Sequence, residues 1–472
     1  MHETDAEVAL SSLSEEFHSA ELGDARRTRR LVEMAQMAEK APGLSFPKMA
    51  RSEAELEAVY RFFGNDEVEW EGVFAPHRER TVQRCHDKGE VLVLHDTTQF
   101  RFDTEENARE LGLLTGSARG FFGHFSLAVD NENSRAVLGV VGFEPLVREH
   151  FVGSRKKHTN SEISRIHAAR PRAEKERERW HRGVEEAQAA LGEDCSVIHV
   201  MDREADAYVL WSRLVERHRR FVIRAVTGTP HRVRRIERAL HGSTGQLLRE
   251  VPLKHRREQL KASNGKRPAR AERLATLHYR AGRGTFDRPS DVCDVPESAS
   301  ANVVEVYESN PPQGQEPIQW TLVTSEPIDT VEQVTRVVDI YRARWTIEEY
   351  FKALKTGCAY EARQLETLDG LLKALALFIP LAWRMLVLRC AAREAPSAPA
   401  ANVLDPDELL LLRRISVRVK LPENPTLEQA LYAIAGLGGH LKRNGSPGWQ
   451  TLAAGYRELW SAMLGFLAAK AM

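Results

Sequence analysis

The chain has 472 residues, which is more than a single hydrophobic core usually supports, so two or three domains are expected. Its composition, 42% apolar and 28% charged, is that of a soluble globular protein and excludes a largely disordered one. The formal net charge is zero, which argues neither for nor against a nucleic-acid partner, because charges can be segregated along a chain.

The basic residues are in fact concentrated in one stretch. Between Arg219 and Arg288 there are 19 Lys or Arg residues against 5 acids, a local net charge of +14. A solvated surface is the alternative explanation. We predict contact with DNA, because so lopsided a balance leaves few internal partners for these cations.

Three further features narrow the class of protein. The five cysteines are scattered, with no CxxC pair and no His/Cys zinc spacing, which indicates a reducing cytosol and no structural zinc. The first seven residues are polar and acidic, so no signal peptide is expected. The most apolar run, Ala374 to Trp383, is only ten residues long, which predicts a buried helix kinked at Pro380 and no membrane span.

The predicted elements change character along the chain. Residues 1–72 are predicted to be helical, with Ser52 and Glu55 forming a capping box. Strands are then predicted at 90–95, 122–129, 136–143, 196–201 and 221–226, and helices at about 161–190 and 204–217. This β-β-β-α-β-α-β order predicts an α/β core with a mixed sheet between helices, which is the order of a ribonuclease-H-like fold.

The remainder predicts an insertion and a helical end. Residues 227–318 are predicted to form a small antiparallel β insertion, followed by a strand at 320–324 and a helix at 331–355. Everything after about residue 371 is predicted to be helical. We therefore divide the chain into a helical N-terminal domain (1–72), a catalytic domain (73–370) and a helical C-terminal domain (371–472).

Two aspartates follow apolar, β-branched runs. Asp96 comes after Val91–His95, and Asp202 comes after Val197–Met201. Open α/β sheets usually place their active sites at the carboxyl ends of strands. The alternative is that each aspartate caps a turn or a helix.

A third carboxylate lies on the helix predicted between Tyr341 and Lys355. At about 100° per residue, Tyr341, Arg344, Glu348 and Lys355 fall within an arc of roughly 60°. Glu348 could be half of a solvated salt bridge, and Glu349 is its rival for a functional role. Glu349 lies about 100° away from Glu348, however, so the geometry favours Glu348.

Three carboxylates without His or Cys ligands select a hard cation, Mg²⁺ or Mn²⁺. Two such ions about 3.5–4 Å apart can activate a water or a 3′-hydroxyl and stabilise the leaving oxygen of an in-line displacement at phosphorus. The sequence therefore predicts phosphodiester chemistry that uses two metal ions.

These residues also carry a family resemblance. The segments 95–98 and 202–206, and the Tyr-x2-Arg-x3-Glu-x6-Lys spacing that begins at Tyr341, resemble the DDE transposases of the insertion-sequence-four family. The likeness extends to 22–28, 60–62, 119–120, 320–355 and 465–470, so it covers nearly the whole chain. Within the family it is greatest to the bacterial cut-and-paste type that forms DNA hairpins.

The resemblance implies a role for each conspicuous residue. Asp96, Asp202 and Glu348 would be the metal ligands, and Arg344 and Lys355 would hold phosphates with Tyr341 in support. Trp320 would stack on a flipped base during hairpin formation. The basic residues that would read the transposon's terminal repeat are Arg26, Arg27, Arg30 and Arg61.

The resemblance also implies partners. The substrate would be double-stranded DNA, both terminal repeats and target, and the C-terminal helices would form a synaptic homodimer in which each core acts on the end bound by the other subunit. The protein would be cytoplasmic in a bacterium, associated with the nucleoid and with no membrane.

Two other functions remain as alternatives. A structure-selective nuclease of the same fold is disfavoured because it needs no base-stacking residue such as Trp320. A domesticated DNA-binding protein that has lost catalysis is disfavoured because binding alone does not require Asp96, Asp202 and Glu348.

Overall fold

The structure is a computed structural model that describes residues 13–102, 110–114, 118–131, 136–148, 176–227, 230–243, 245, 247–253, 255, 259–260, 266–267, 269–290, 292–441, 443 and 445–470. The turn predicted at 130–134 and the helix predicted from about 161 lie partly outside these residues.

The N-terminal part is helical, as predicted. A 3-10 turn at Leu13–Phe17 precedes helices α1 Ala25–Lys40, α2 Phe46–Met49, α3 Glu53–Phe63 and α4 Trp70–His86. The side chain of Ser52 accepts a hydrogen bond from the backbone N–H of Glu55, at 3.2 Å. The Glu55 carboxylate accepts from the backbone of Arg51 instead of Ser52, so only one half of the predicted capping box forms. The boundary predicted at residue 72 falls inside α4.

A large mixed sheet forms the centre of the molecule, with helices packed on it, which confirms the predicted α/β class. The described strands are β1 Glu90–Arg101, β2 Gly112–Leu113, β3 Arg119–Asp130, β4 Val137–Leu146, β5 Ser196–Met201, β6 Arg220–Arg224, β7 Leu247–Leu253, β8 Gln259–Leu260, β9 Lys266–Arg267, β10 Arg273–Asp287, β11 Ser298–Glu308 and β12 Gln319–Thr324.

The order of the strands places β1 near the middle of the predicted catalytic core. The sheet runs β2-β3-β1-β5-β6-β12-β11-β10-β7, and β4 pairs with β3. β1 is parallel to β5 and β5 is parallel to β6, while β3 is antiparallel to β1. β1 is therefore buried between neighbours on both sides.

β1 is longer than predicted, so the expectation that Asp96 ends this strand is wrong. The strand continues to Arg101, which pairs with Gly120 of β3. β3 extends the antiparallel ladder beyond the point where β5 ends, and backbone hydrogen bonding therefore continues past Asp96.

The predicted insertion is antiparallel, but it is not a separate small sheet. After helix α7, Pro230–Ala239, strands β7 and β11 pair with the two sides of β10, and β12 joins β11 to β6. The short strands β8 and β9 pair only with one another among the described residues. The long strands thus continue the central sheet. Because β12 pairs with β6, neither of these two strands is left as an exposed sheet edge.

Four helices pack on the sheet. α5 Arg179–Leu191 and α6 Tyr208–Glu216 lie between strands, whereas α8 Val331–Ala343 and α9 Trp345–Lys352 follow β12. The single helix predicted over 331–355 is interrupted, because α8 ends at Ala343 and α9 begins at Trp345, with a π-helical turn following at Ala353–Gly357.

One long apolar helix joins the parts of the molecule. α10, Leu368–Glu394, packs against α3, α4, β4 and the C-terminal helices, and the predicted boundary at 370 falls in its first turn. By length and composition alone it could cross a membrane, but 89% of its most apolar window is buried inside the protein. α10 is therefore a core helix, as its Ala374–Trp383 run predicts. The remaining helices are α11 Pro406–Ile415, α12 Leu427–Leu437 and α13 Trp449–Lys470.

Candidate active site

Asp96 and Asp202 lie side by side on the sheet. The parallel ladder of β1 and β5 ends with Leu94 opposite Val200, and each aspartate follows two residues later. Neighbouring strands are about 4.8 Å apart, so the two carboxylates emerge next to each other. Asp202 also caps the 3-10 turn after β5, where its Oδ1 accepts from the backbone N–H of Glu204 at 2.7 Å. The functional and the capping interpretations of Asp202 are therefore compatible.

Glu348 approaches Asp96 from the helical side through Arg344. Arg344 stands at the break between α8 and α9, where its Nη1 donates to Asp96 Oδ2 at 2.9 Å. Its Nη2 donates to Glu348 Oε1. The Arg344 side chain is 14% exposed, so both ion pairs are largely shielded from water.

The pKa of Asp96 links all three carboxylates. Burial raises this pKa to about 7, and the negative charges of Asp202 and Glu348 act in the same direction. The Arg344 guanidinium and the N–H of Thr97 oppose the increase without cancelling it. The charges of Asp202 and Glu348 are thus close enough to Asp96 to raise its pKa.

Glu349 points elsewhere. Its carboxylate accepts from Lys352 Nζ at 2.7 Å, lies 3.3 Å from Arg389 Nε and accepts from the indole N–H of Trp449. It therefore ties α9 to the C-terminal helices, and the structure places only Glu348 near Asp96.

Tyr341 and Trp320 form an aromatic pair beside the carboxylates. Their ring centroids are 5.2 Å apart at an interplanar angle of 43°. Burial raises the pKa of the Tyr341 hydroxyl, Arg224 opposes the increase through charge and a hydrogen bond, and Asp202 contributes to it. Tyr341 is 8% exposed, whereas Trp320 is only partly buried.

Lys355 lies farther along β1. Its Nζ donates to the carbonyl of Gln99, three residues beyond Asp96, and is 3.7 Å from Glu361 Oε1. Three strand residues span roughly 10 Å, so Lys355 occupies the outer part of the site. The interruption of the helix explains why a single helical wheel does not describe its position.

The four N-terminal arginines differ in exposure. Arg26 and Arg61 have side chains 86% and 78% exposed, and Arg30 is 38% exposed. Arg27 is less available, because it donates to the carbonyl of Leu22 and pairs with Glu67.

Arginines of the basic stretch 219–288 have many ion-pair partners inside the protein. The expectation that these cations lack internal partners is therefore wrong, and contact of this stretch with DNA stays a prediction. Acids outside this stretch pair with several of its arginines, for example Glu326 with Arg220 and Glu308 with Arg273. The further pairs are Arg219–Glu193, Arg249–Asp339, Arg280–Glu305, Arg283–Asp329 and Arg288–Glu297. A local charge count does not register partners that are distant in sequence.

Two functional candidates carry no sequence signal. Arg224 hydrogen-bonds Tyr341, and Arg179 contacts Thr97 and Glu204, the neighbours of Asp96 and Asp202. Arg179 lies in a long charged run of alternating sign, where no spacing distinguishes it from the other arginines.

The donor atoms at this site suit a hard divalent cation, because all three carboxylates offer oxygen. Among the described residues, no three His, Cys, Asp or Glu side chains are grouped closely enough to hold a metal ion. The Arg344 guanidinium supplies positive charge between Asp96 and Glu348 instead. The type of donor atom thus suits a metal, whereas the spacing in this structure is that of an ion-paired site with Arg344 between Asp96 and Glu348.

Comparison with known proteins gives two family matches. Residues 11–68 match the model described as transposase DNA-binding, and this match contains all four predicted DNA-reading arginines. Residues 150–379 match the model described as transposase DDE domain, which includes Asp202 and Glu348. Asp96 precedes the second match.

A solved structure of the piggyBac transposase synaptic complex with hairpin DNA is similar over 68% of this chain, at 10% identity and a TM-score of 0.29. The chain spans 57% of the length of that protein, and so weak a likeness carries no argument about function. The two family matches rest on sequence and are independent of it. The chain therefore carries one segment similar to transposase DNA-binding domains, at 11–68, and one similar to transposase DDE domains, at 150–379.

Proposed function

We propose that this protein is a cut-and-paste DNA transposase of the insertion-sequence-four family, similar to the transposon-five transposase, with a ribonuclease-H-like core. It binds terminal repeats, nicks the strand, forms and resolves a hairpin, and joins the ends to target DNA. The observation that carries the proposal is that Asp96 and Asp202 follow the same pair of neighbouring strands and that Arg344 joins Asp96 to Glu348, in a chain that matches transposase domains.

The three carboxylates would hold the divalent cations that DDE transposases in general use, here Mg²⁺ or Mn²⁺ and two ions. Held by these carboxylates, the ions would supply Lewis-acid activation of the attacking oxygen and stabilisation of the leaving oxygen at phosphorus. Asp96 must lose its proton to act as a ligand, and its raised pKa makes this step sensitive to pH.

Arg344 has two uses in this proposal. Without DNA it neutralises Asp96 and Glu348, and with DNA its guanidinium can donate two parallel hydrogen bonds to a phosphate. Lys355, in the π-helical turn, contacts Gln99 of β1 beyond Asp96, where it can hold a second phosphate of the same DNA end. Tyr341 supports Trp320, whose exposed part is available for a flipped base.

The exposed Arg26, Arg30 and Arg61 contact the terminal repeat, and Arg27 mainly stabilises the N-terminal helices. The C-terminal helices provide the contacts of the synaptic homodimer. The protein acts in the bacterial cytoplasm, on the nucleoid.

The proposal is tested with DNA from the flanks of the coding region, where a mobile element would carry its terminal repeats. Asp96→Asn, Asp202→Asn and Glu348→Gln should each reduce Mg²⁺-dependent nicking at least about 100-fold, because each removes a ligand charge. Binding to the same DNA, measured by gel shift, should stay near wild type because most DNA contacts lie elsewhere.

Glu349→Gln is the matched control. It changes the neighbouring carboxylate, so it should lower the melting temperature by a few degrees while nicking below that temperature is retained. Equal loss of nicking in Glu348→Gln and Glu349→Gln would contradict the assignment. Wild-type binding without any nicking would favour the domesticated DNA-binding protein.

A further inference from the structure

Arg179, the first residue of α5, contacts the neighbours of both aspartates. Its side chain is 11% exposed, its Nε donates to Thr97 Oγ1 at 2.8 Å and its Nη2 donates to Glu204 Oε2 at 3.0 Å. Its Nη1 donates to the carbonyl of Glu176 at 2.6 Å. The guanidinium is thus fixed by three partners on three different segments.

Two of these partners are directly connected to the candidate metal ligands. The backbone N–H of Thr97 donates to Asp96 Oδ1 at 2.8 Å, and the backbone N–H of Glu204 donates to Asp202 Oδ1 at 2.7 Å. Arg179 therefore links strand β1 to the turn after β5.

Arg179 connects β1 to the turn after β5 at a level where the backbone hydrogen bonds between β1 and β5 have already ended. The last parallel pair of β1 and β5 is Leu94 with Val200, two residues before the aspartates. Beyond that pair, the separation of Asp96 and Asp202 depends on side chains, and a planar guanidinium fixes two acceptors more rigidly than an ammonium does.

A buried histidine holds the other side of the Thr97 hydroxyl. The Oγ1 of Thr97, which accepts from Arg179, lies 2.9 Å from His124 Nδ1 and can donate to it. Burial lowers the pKa of His124 to about 3, and the charges of Arg179 and Arg182 add to this effect. The imidazole is neutral at physiological pH and can accept the hydrogen bond.

We propose that Arg179 is a positioning residue that sets the separation of the Asp96 and Asp202 carboxylates and thereby the affinity of the site for divalent metal. The inference rests on the proposed function, since it concerns the same site. Positioning and charge predict opposite effects. A cation close to the carboxylates repels a metal ion, so removing Arg179 would tighten metal binding if charge alone mattered, and would weaken it if positioning dominates.

The experiment measures Mn²⁺ binding to the full-length protein from the resonance signal of the free ion, together with the Mg²⁺ concentration that gives half-maximal nicking. Arg179→Ala should weaken Mn²⁺ binding and raise that Mg²⁺ concentration by about 10–100-fold, a range typical for residues that orient metal ligands. Arg179→Lys should recover part of the metal affinity. An ammonium can reach one of the two partners, but it cannot donate to Thr97 and Glu204 at the same time, as the planar guanidinium does.

Arg182→Ala is the matched control. Arg182 is three residues farther along α5 and pairs with Glu144 at 2.6 Å, so its removal should leave both metal readouts unchanged. Thr97→Val and Glu204→Ala each remove one of the two hydrogen bonds that Arg179 makes to the neighbours of the aspartates, and each should cost less than Arg179→Ala. Combined with Arg179→Ala, neither should add to the loss, because the interaction is already absent.

Tighter Mn²⁺ binding in Arg179→Ala, or additive losses in the double variants, would overturn the positioning role. So would a shallower salt dependence of DNA binding, which would make Arg179 a phosphate ligand. A wild-type protein that neither binds Mn²⁺ nor nicks DNA would instead overturn the proposed function itself. Thermal melting verifies that each variant is folded.

Discussion

At the scale of single residues, Trp320 and Tyr341 form an aromatic pair that can serve both the packing of the core and the binding of DNA. Trp320 packs against the core and pairs with Val306 in the β11–β12 ladder, which is how an ordinary core tryptophan is held. Part of it nevertheless remains accessible next to Tyr341, whose hydroxyl lies in the field of Asp202. A base displaced from the DNA end would find an aromatic face close to the reacting phosphate.

Trp320→Ala should therefore permit the first nick but slow hairpin closure. An aromatic face stabilises an unstacked base by about 1–3 kcal/mol, which corresponds to roughly a 5- to 150-fold slower closing step. Trp320→Phe should keep part of this stabilisation. Hairpin yield from a pre-nicked end, resolved on a denaturing gel, provides the measurement, with the fold checked by thermal melting. Closure at the wild-type rate in folded Trp320→Ala would assign the residue to the core alone.

At the scale of elements, a buried ion pair joins the N-terminal turn to the catalytic part. Glu16 in the 3-10 turn contacts His77 Nδ1 at 2.6 Å and accepts from Arg84 Nη1 at 2.7 Å, both in α4. The same two residues reach β4, since Arg84 donates to the carbonyl of Leu138 and His77 Nε2 accepts from the N–H of Val140. The DNA-binding segment is thereby anchored to the sheet that carries Asp96.

Stability should depend on the charge of Glu16. Burial alone would raise its pKa, but the hydrogen bonds and charges of His77 and Arg84 outweigh burial and lower the pKa from 4.5 to about 2. The depressed pKa means that the ionised carboxylate stabilises the folded state above pH 4.5, and this contribution is lost as the pH falls from 4.5 towards 2.

Glu16→Gln should reduce the free energy of unfolding at pH 7 by about 2–4 kcal/mol, because it leaves Arg84 without its buried counter-charge. It should also flatten the decline of stability below pH 4.5. Urea unfolding at a series of pH values measures both effects. Glu15→Gln in the same turn serves as the control, and equal effects of the two substitutions would show that the ion pair contributes nothing specific.

At the scale of the whole molecule, charge is balanced across distant segments. The chain has 67 basic and 67 acidic residues, and arginines of the basic stretch 219–288 pair with acids in other strands and helices. Arg273 and Glu308, for example, are 11% and 2% exposed. Several arginines of the basic stretch therefore hold the extended sheet together. Arg26 of α1 and Arg61 of α3 pair with acids nearby in sequence and stay exposed, so they are better placed to meet DNA.

The salt dependence of DNA binding should separate these two groups of arginines. Arg26→Gln and Arg61→Gln should each reduce the slope of log affinity against log salt by about one, with little change in stability. Arg273→Gln should lower stability and leave the slope unchanged, because its charge is already paired inside the sheet. The slopes are measured by the fluorescence anisotropy of a labelled terminal repeat across a salt series. A shallower slope for Arg273→Gln would show that the basic stretch 219–288 contacts DNA.

The sequence by itself determined the features that depend on local periodicity. The apolar run of β5 and its terminal Asp202, the helical N-terminal part and the buried α10 all follow from spacing within about thirty residues. The preference for Glu348 over Glu349 has the same origin, since the two residues point about 100° apart around one helix.

The tertiary structure decided what depends on distant partners. β3 carries β1 past Asp96 to Arg101, the strands of the insertion continue the central sheet, and acids from other elements pair with the basic stretch. Arg344 joins Asp96 to Glu348 across 248 residues of sequence, and Arg179 reaches Thr97 across 82. Hydrogen bonds and ion pairs act over a few ångströms in space regardless of separation along the chain, so no local pattern records them.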